Sequence, residues 1–262
     1  MGFFSNFFRD LPMYLLSLPV LLMAFSIHES AHGYAAYKLG DPTARNLGRI
    51  TLNPIKHIDI FGFICMLIAH IGWAKPVPIN ARHFKNPRRD MAITGAAGPV
   101  SNLALAILHL IVLRVVMLLL PSGFLSEASL FAIAYTSGDA FVGTLGFTLM
   151  SLVVYLLYLG VVLNVCLAIF NLIPIPPFDG SRIFYAFLPP KWYFGVMKYE
   201  RIIMMVVLVL LIFGFLTGPL AMIQNAIIDA LFTVVGMGGK SADLGIMNCM
   251  LVYVDEILHN LF

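Results

Sequence analysis

"LPMYLLSLPVLLMAFSIHESAHGY", residues 11–34, is an apolar run that turns polar at its end. As an α-helix, the stretch from Leu11 to Ile27 rises about 25 Å, close to the thickness of a bilayer's hydrocarbon core. His28, Glu29 and His32 follow at once. A long lysine or arginine could snorkel to the headgroups from that depth; short His and Glu side chains cannot. An ionised group costs roughly 2.5–3.5 kcal/mol at the centre of a membrane helix and less near its end. A frayed polar helix end is the plain reading. The depth favours a functional cluster instead.

The whole chain supports a membrane setting. Its 262 residues are 60% hydrophobic and 11% charged, where a soluble domain carries about 25% charged residues. The expected fold class is an all-α polytopic integral membrane protein. Three helices would form the core, joined by at least one further transmembrane helix and a short re-entrant segment. Spans are expected at about 11–39, 98–120, 141–170 and 202–223. Residues 60–73 are apolar but too few to cross, so they read as re-entrant. Residues 1–223 form the membrane domain in this reading, and 224–262 an amphipathic or interfacial tail. The first span reads as a retained helix, because no basic n-region precedes it and no small-residue cleavage site follows. Cys65, Cys166 and Cys249 form no CxxC pair and read as buried small hydrophobes. GMGG at 236–239 is too short and badly placed for a phosphate loop, and no nucleic-acid signature occurs.

Basic residues set the orientation. They cluster in 38–57 (Lys38, Arg45, Arg49, Lys56), 75–89 (Lys75, Arg82, Lys85, Arg88, Arg89) and 182–201 (Arg182, Lys191, Lys198, Arg201), and are missing from 121–140. The three basic segments are therefore expected in the cytoplasm. Both flanks of 60–73 are then on one side, as a segment that dips and returns requires.

Three constellations carry the chemistry. His28-Glu29-Ser30-Ala31-His32 is an HExxH motif. Positions i and i+4 share a helix face, so two imidazoles can bind one zinc while the glutamate acts as general base on water there. "NLIPIPPFDGSRI", residues 171–183, ends the third span. Its prolines cannot continue a helix, and Gly180 permits a bend directly after Asp179. Asp179 is the best third metal ligand; a capping aspartate in a proline turn is the alternative. "AAGPVSNLALA", residues 96–106, opens the second span in this reading and sets Asn102 one turn inside it. Asn102 and Asn171 could hold a substrate carbonyl or merely serve their helix ends. By the assigned topology all three constellations lie at the cytoplasmic ends of their helices, which argues for one shared site.

Together the motifs resemble the site-2 protease family of intramembrane zinc metalloproteases, in the order HExxH, GPxxN, then N-x-x-P…DG. "AYKLGDPTARNLGRITLNPIKHID" and "GWAKPVPINARHFKNPRRDMAITGAAGPVSN" look like the small bacterial branch, which lacks the PDZ and CBS domains of other branches. The resemblance covers about residues 12–190. It implies a single catalytic Zn2+ held by His28, His32 and Asp179. Glu29 would activate water and pass its proton to the leaving amine. Asn102 and Asn171 would bind substrate. Residues 60–73 would be the membrane re-entrant element that offers substrate an extended edge. The implied partners are a membrane-protein substrate with a transmembrane segment and the lipid bilayer, in the cell membrane of a bacterium. His57, His70, His83, His109 and His259 do not read as ligands, and all but His57 read as interfacial. Two rivals are a non-enzymatic scaffold that binds transmembrane helices and a metal transporter. The intact glutamate argues against the first. The absence of any acid between Phe141 and Phe170 argues against the second.

Overall fold

The computed structural model describes residues 3–69, 72–120, 145–189, 199–212 and 217–237. Every regular element among them is helical: α1 (Phe3–Lys38), α2 (Thr43–Asn46), α3 (Ile60–Ala69), α4 (Pro87–Leu119), α5 (Leu145–Leu172), α6 (Gly180–Phe187), α7 (Glu200–Ile212) and α8 (Thr217–Val234), with 3-10 turns at Pro54–Lys56 and Ala81–His83. Extended backbone pairs only once among the described residues, in an isolated antiparallel bridge between Ile58 and Ala74. Among the described residues, three helices are long and apolar enough to cross a bilayer, within Leu15–Lys38, Pro87–Leu119 and Leu152–Leu172. The protein is an all-α polytopic membrane protein.

The three spanning helices differ in exposure. The most apolar stretch of α5 is 61% buried, against 22% for α1 and for α4, so α5 is the most enclosed of the three. Its sequence is apolar around its whole circumference, as a helix enclosed by protein requires. α4 lies between α1 and α5 and also packs on α6. Leu110 and Leu113 of α4 meet Tyr158, Leu159 and Val162 of α5 in the main apolar core, which Ile228 and Phe232 of α8 complete. Gly160 allows α4 and α5 to approach, because a Cβ there would overlap the His109 ring. Small residues at such crossings are how membrane helices pack closely. His109 therefore lies in the helix crossing rather than at the interface, with Nδ1 bonded to the Leu105 carbonyl at 2.8 Å.

Several boundaries differ from those the sequence suggests. α4 starts at Pro87, not near Gly98, and runs through Pro99. Proline at the first helical position is favoured because its missing N–H has no intrahelical partner there anyway. An internal proline is tolerated in membrane helices where neighbours satisfy the freed carbonyl. Asn102 is consequently deep in α4 rather than one turn from its start. The expected span 202–223 covers residues of α7 and of α8, and 213–216 between them lie outside the described residues. The expected domain limit at 223 falls inside α8, whose Ile228 and Phe232 belong to the core. Residues 238–262 lie outside the described residues. The first ten residues of the apolar dip are the helix α3, capped by Asp59, whose Oδ1 accepts from Gly62 N–H at 2.9 Å. Residues 75–80, after it, belong to no helix.

Candidate metal centre

The helical phase of α1 places His28 and His32 on one face. Both are buried. Asp179 reaches them from the turn between α5 and α6. That turn folds back so tightly that a Cβ on Gly180 would overlap the Leu172 carbonyl. Only glycine fits, so the residue after the aspartate fixes the aspartate's position. The three donor atoms form a near-equilateral triangle. His28 Nε2 is 3.1 Å from Asp179 Oδ2, His32 Nε2 is 3.0 Å from the same oxygen, and the two Nε2 atoms are 3.0 Å apart.

A cation accounts for this triangle better than hydrogen bonds do. His32 Nδ1 donates to the Thr94 carbonyl at 2.7 Å, which leaves Nε2 as a lone-pair donor. Such an outer bond is the usual way a protein aims a metal-binding imidazole. Of the three converging atoms only His28 Nε2 can then carry a proton, and one proton cannot make hydrogen bonds along all three sides. In a tetrahedral zinc site with bonds of about 2.0–2.1 Å the ligand atoms sit about 3.3–3.4 Å apart, close to the spacing here. The donor set, two imidazoles and one carboxylate, is a known catalytic zinc set that leaves a position open. His28 Nδ1 is buried without a hydrogen-bond partner. Packing orients that ring instead: it stands at 85° to the His32 ring, centroids 4.6 Å apart, and rests on Gly98, where a Cβ would come 2.6 Å from its Nε2.

The other residues of the motif stretch bind its surroundings. Glu29 Oε2 accepts from the Val77 backbone N–H at 2.9 Å. Ser30 Oγ donates to the Thr51 carbonyl at 2.6 Å and accepts from Thr51 N–H at 3.1 Å. Gly33 gives room for Ala44, Ile50 and Val77. Just beyond α1, buried Asp41 holds the connecting chain. It accepts from Thr43 Oγ1, from Thr43 N–H at 3.1 Å, from Asn80 N–H at 2.7 Å and from His83 Nδ1 at 2.7 Å. Burial pushes the Asp41 carboxyl up, but the bonds from His83, Thr43 and Asn80 outweigh it and hold the group below its ordinary value. An apolar cleft lined by Leu22, Phe25, Pro54, Phe63 and Trp73 opens beside α1, just before His28.

The two asparagines differ. Asn102 is fully buried, one helical turn from Gly98 and on the same face, and neither atom of its amide has a partner among the described residues. A buried amide that bonds nothing costs about 1–3 kcal/mol. Asn171 is half-buried, and its amide N–H is spent on the Leu167 carbonyl of its own helix at 2.9 Å. Sequence reasoning missed Gly98, Thr94 and Val77. The first had a signal, the glycine of GPVSN. The other two act through backbone atoms, which no motif displays.

The sequence profile of peptidase family M50 matches residues 16–215, a stretch that holds all three donors. The chain belongs to peptidase family M50, the site-2 protease family. Among curated M50 relatives it is similar to "Putative zinc metalloprotease YwhC" of Bacillus subtilis, 42% identical over 170 residues, 65% of this chain and 68% of the relative. It is also similar to "Putative zinc metalloprotease Rip2" of Mycolicibacterium smegmatis, 28% identical over 205 residues, 76% of this chain and 68% of the relative. No solved structure matches the chain. The match makes this M50 protein a peptidase.

Proposed function

We propose that this protein is a zinc metalloprotease that cuts peptide bonds in or near transmembrane segments of other membrane proteins, at the cytoplasmic side of a bacterial cell membrane. The observation that carries the reading is the convergence of His28, His32 and Asp179 within about one ligand sphere, with Glu29 adjacent. The names of both relatives support zinc as the ion. Zinc, when bound, supplies a Lewis acid that brings the pKa of water in its open position to about 7.

The protein's own groups supply the rest. His28, His32 and Asp179 hold the ion. Glu29 takes a proton from the attacking water on its carboxylate and returns it to the departing amine nitrogen. Asn102, with its amide unpartnered among the described residues, donates to a substrate carbonyl in this reading. Asn171 has given one amide hydrogen to Leu167; its amide oxygen is left to accept from a substrate backbone N–H. The depth of the site in α1 supports a substrate that is itself in the membrane, and the clustering of basic residues in 38–57 and 75–89 supports the cytoplasmic side.

The test is Glu29→Gln in purified protein with a transmembrane substrate. Zinc content is expected to stay at one per chain while kcat falls about 10²- to 10⁴-fold. Unchanged cleavage would remove Glu29 as the base.

A further inference from the structure

We infer that the backbone N–H of Val77 is a positioning group for Glu29, which holds the carboxylate as a base and keeps it from becoming a fourth ligand to the metal. The inference rests on the reading of Glu29 as general base.

A glutamate beside a zinc ligand faces a conflict. Carboxylates are ordinary zinc ligands, and Glu29 is next to His28 on a flexible side chain. If it swung onto the ion it would fill the position that water needs. Something must hold it back. The bond from Val77 N–H to Glu29 Oε2, at 2.9 Å, does this and leaves Oε1 to meet the water. A hydrogen bond to an ionised oxygen is among the stronger kinds.

The sequence around Val77 suits this single task. It reads Lys75-Pro76-Val77-Pro78-Ile79. Prolines lack an N–H, so Val77 supplies the sole donor between Lys75 and Ile79. Pro78 also restricts Val77 to extended backbone, and Pro76 restricts Lys75. The stretch is tied down on both sides of Val77. Lys75 N–H donates to the His57 carbonyl at 2.8 Å, Arg49 Nη2 donates to the Lys75 carbonyl at 2.7 Å, and Asn80 N–H donates to Asp41 at 2.7 Å. The Val77 side chain is itself buried, against Gly33 of α1. The donor is therefore fixed before substrate or metal arrives.

The test removes one hydrogen-bonding proton. Val77 is replaced by its α-hydroxy analogue through suppression of a stop codon, so that an ester stands where the amide was and the side chain remains. The same exchange at Ile79 is the control for an ester in this stretch. For the Val77 ester, kcat is expected to fall about 10- to 100-fold with KM within about two-fold and zinc affinity equal to or tighter than wild type. A damaged fold would instead weaken zinc and raise KM. In protein labelled with 15N-valine, the Val77 amide proton is expected downfield and slow to exchange, and both properties should vanish in Glu29→Ala. Unchanged kcat in the ester, a joint loss of zinc and kcat, or a Val77 amide indifferent to Glu29→Ala each overturns the inference. Cleavage by wild type that does not depend on Glu29 overturns the base assignment, and this role with it.

Discussion

The two ends of the helix bundle are built on different principles. Where α1, α4 and the α5–α6 turn meet, polar bonds and glycine contacts fix the atoms: His32 on Thr94, Glu29 on Val77, Ser30 on Thr51, with Gly98 and Gly180 in near contact with the atoms they serve. At the far end of α4 and α5, Leu110, Leu113, Tyr158 and Leu159 pack with Ile228 and Phe232. Packing of that kind is directionless and adaptable. A hydrogen bond or a glycine contact fails over a few tenths of an ångström. The comparison teaches that one end sets positions and the other supplies cohesion, so they should break in different ways.

Gly98→Ala is the hardest test of the first end. Its Cβ would press into both imidazoles, and zinc affinity should fall about 10- to 100-fold or more while helix content by circular dichroism is kept. Wild-type zinc binding in this variant would disprove the contact. Gly180→Ala should follow with a similar but smaller loss, since the backbone of the turn must shift and carry Asp179 away. Gly218→Ala is the matched control, because a Cβ there meets nothing within 4 Å; it should bind zinc as wild type does.

Leu110→Ala addresses the other end. It should lower unfolding stability by about 2–5 kcal/mol and leave zinc affinity and KM within two-fold. Lost zinc in this variant would mean that the two ends are coupled, and the contrast drawn above would fail.

The smallest effect concerns Asp41. Its carboxyl is held below the ordinary value of 3.8, so it is a group whose ionised form stabilises the fold. That stability is present above the ordinary value and is lost as pH falls through the lowered folded value. Wild type should therefore lose stability as pH falls below the ordinary carboxylate range, and Asp41→Asn should lose less on the same descent, as thermal melts would show. Equal pH slopes would mean that the bonds from Thr43, Asn80 and His83 do not hold Asp41 in its charged form.

The legible parts of this protein were those written in side chains at helical spacing. His28, His32 and Glu29 follow from i, i+4 geometry and depth. Asp179 follows from a helix-ending proline run closed by Gly180. The start of α4 was not legible, because Pro99 reads as a helix start while Pro87, in a basic polar stretch, is the actual first turn. Val77 could not be found at all from its side chain, because its contribution is an amide proton that every residue but proline possesses.

The separation of the metal donors along the chain has a consequence in time. His32 and Asp179 are 147 residues apart. At about 5–20 residues per second, a ribosome needs roughly 7–30 s to go from one to the other. Through that interval α1 is already made, with its histidines and glutamate, but no third donor exists. On the proposed function, a nascent chain is thus inert towards its neighbours at the site of membrane insertion. Proteolytic competence would begin only when α5 has been followed by its turn.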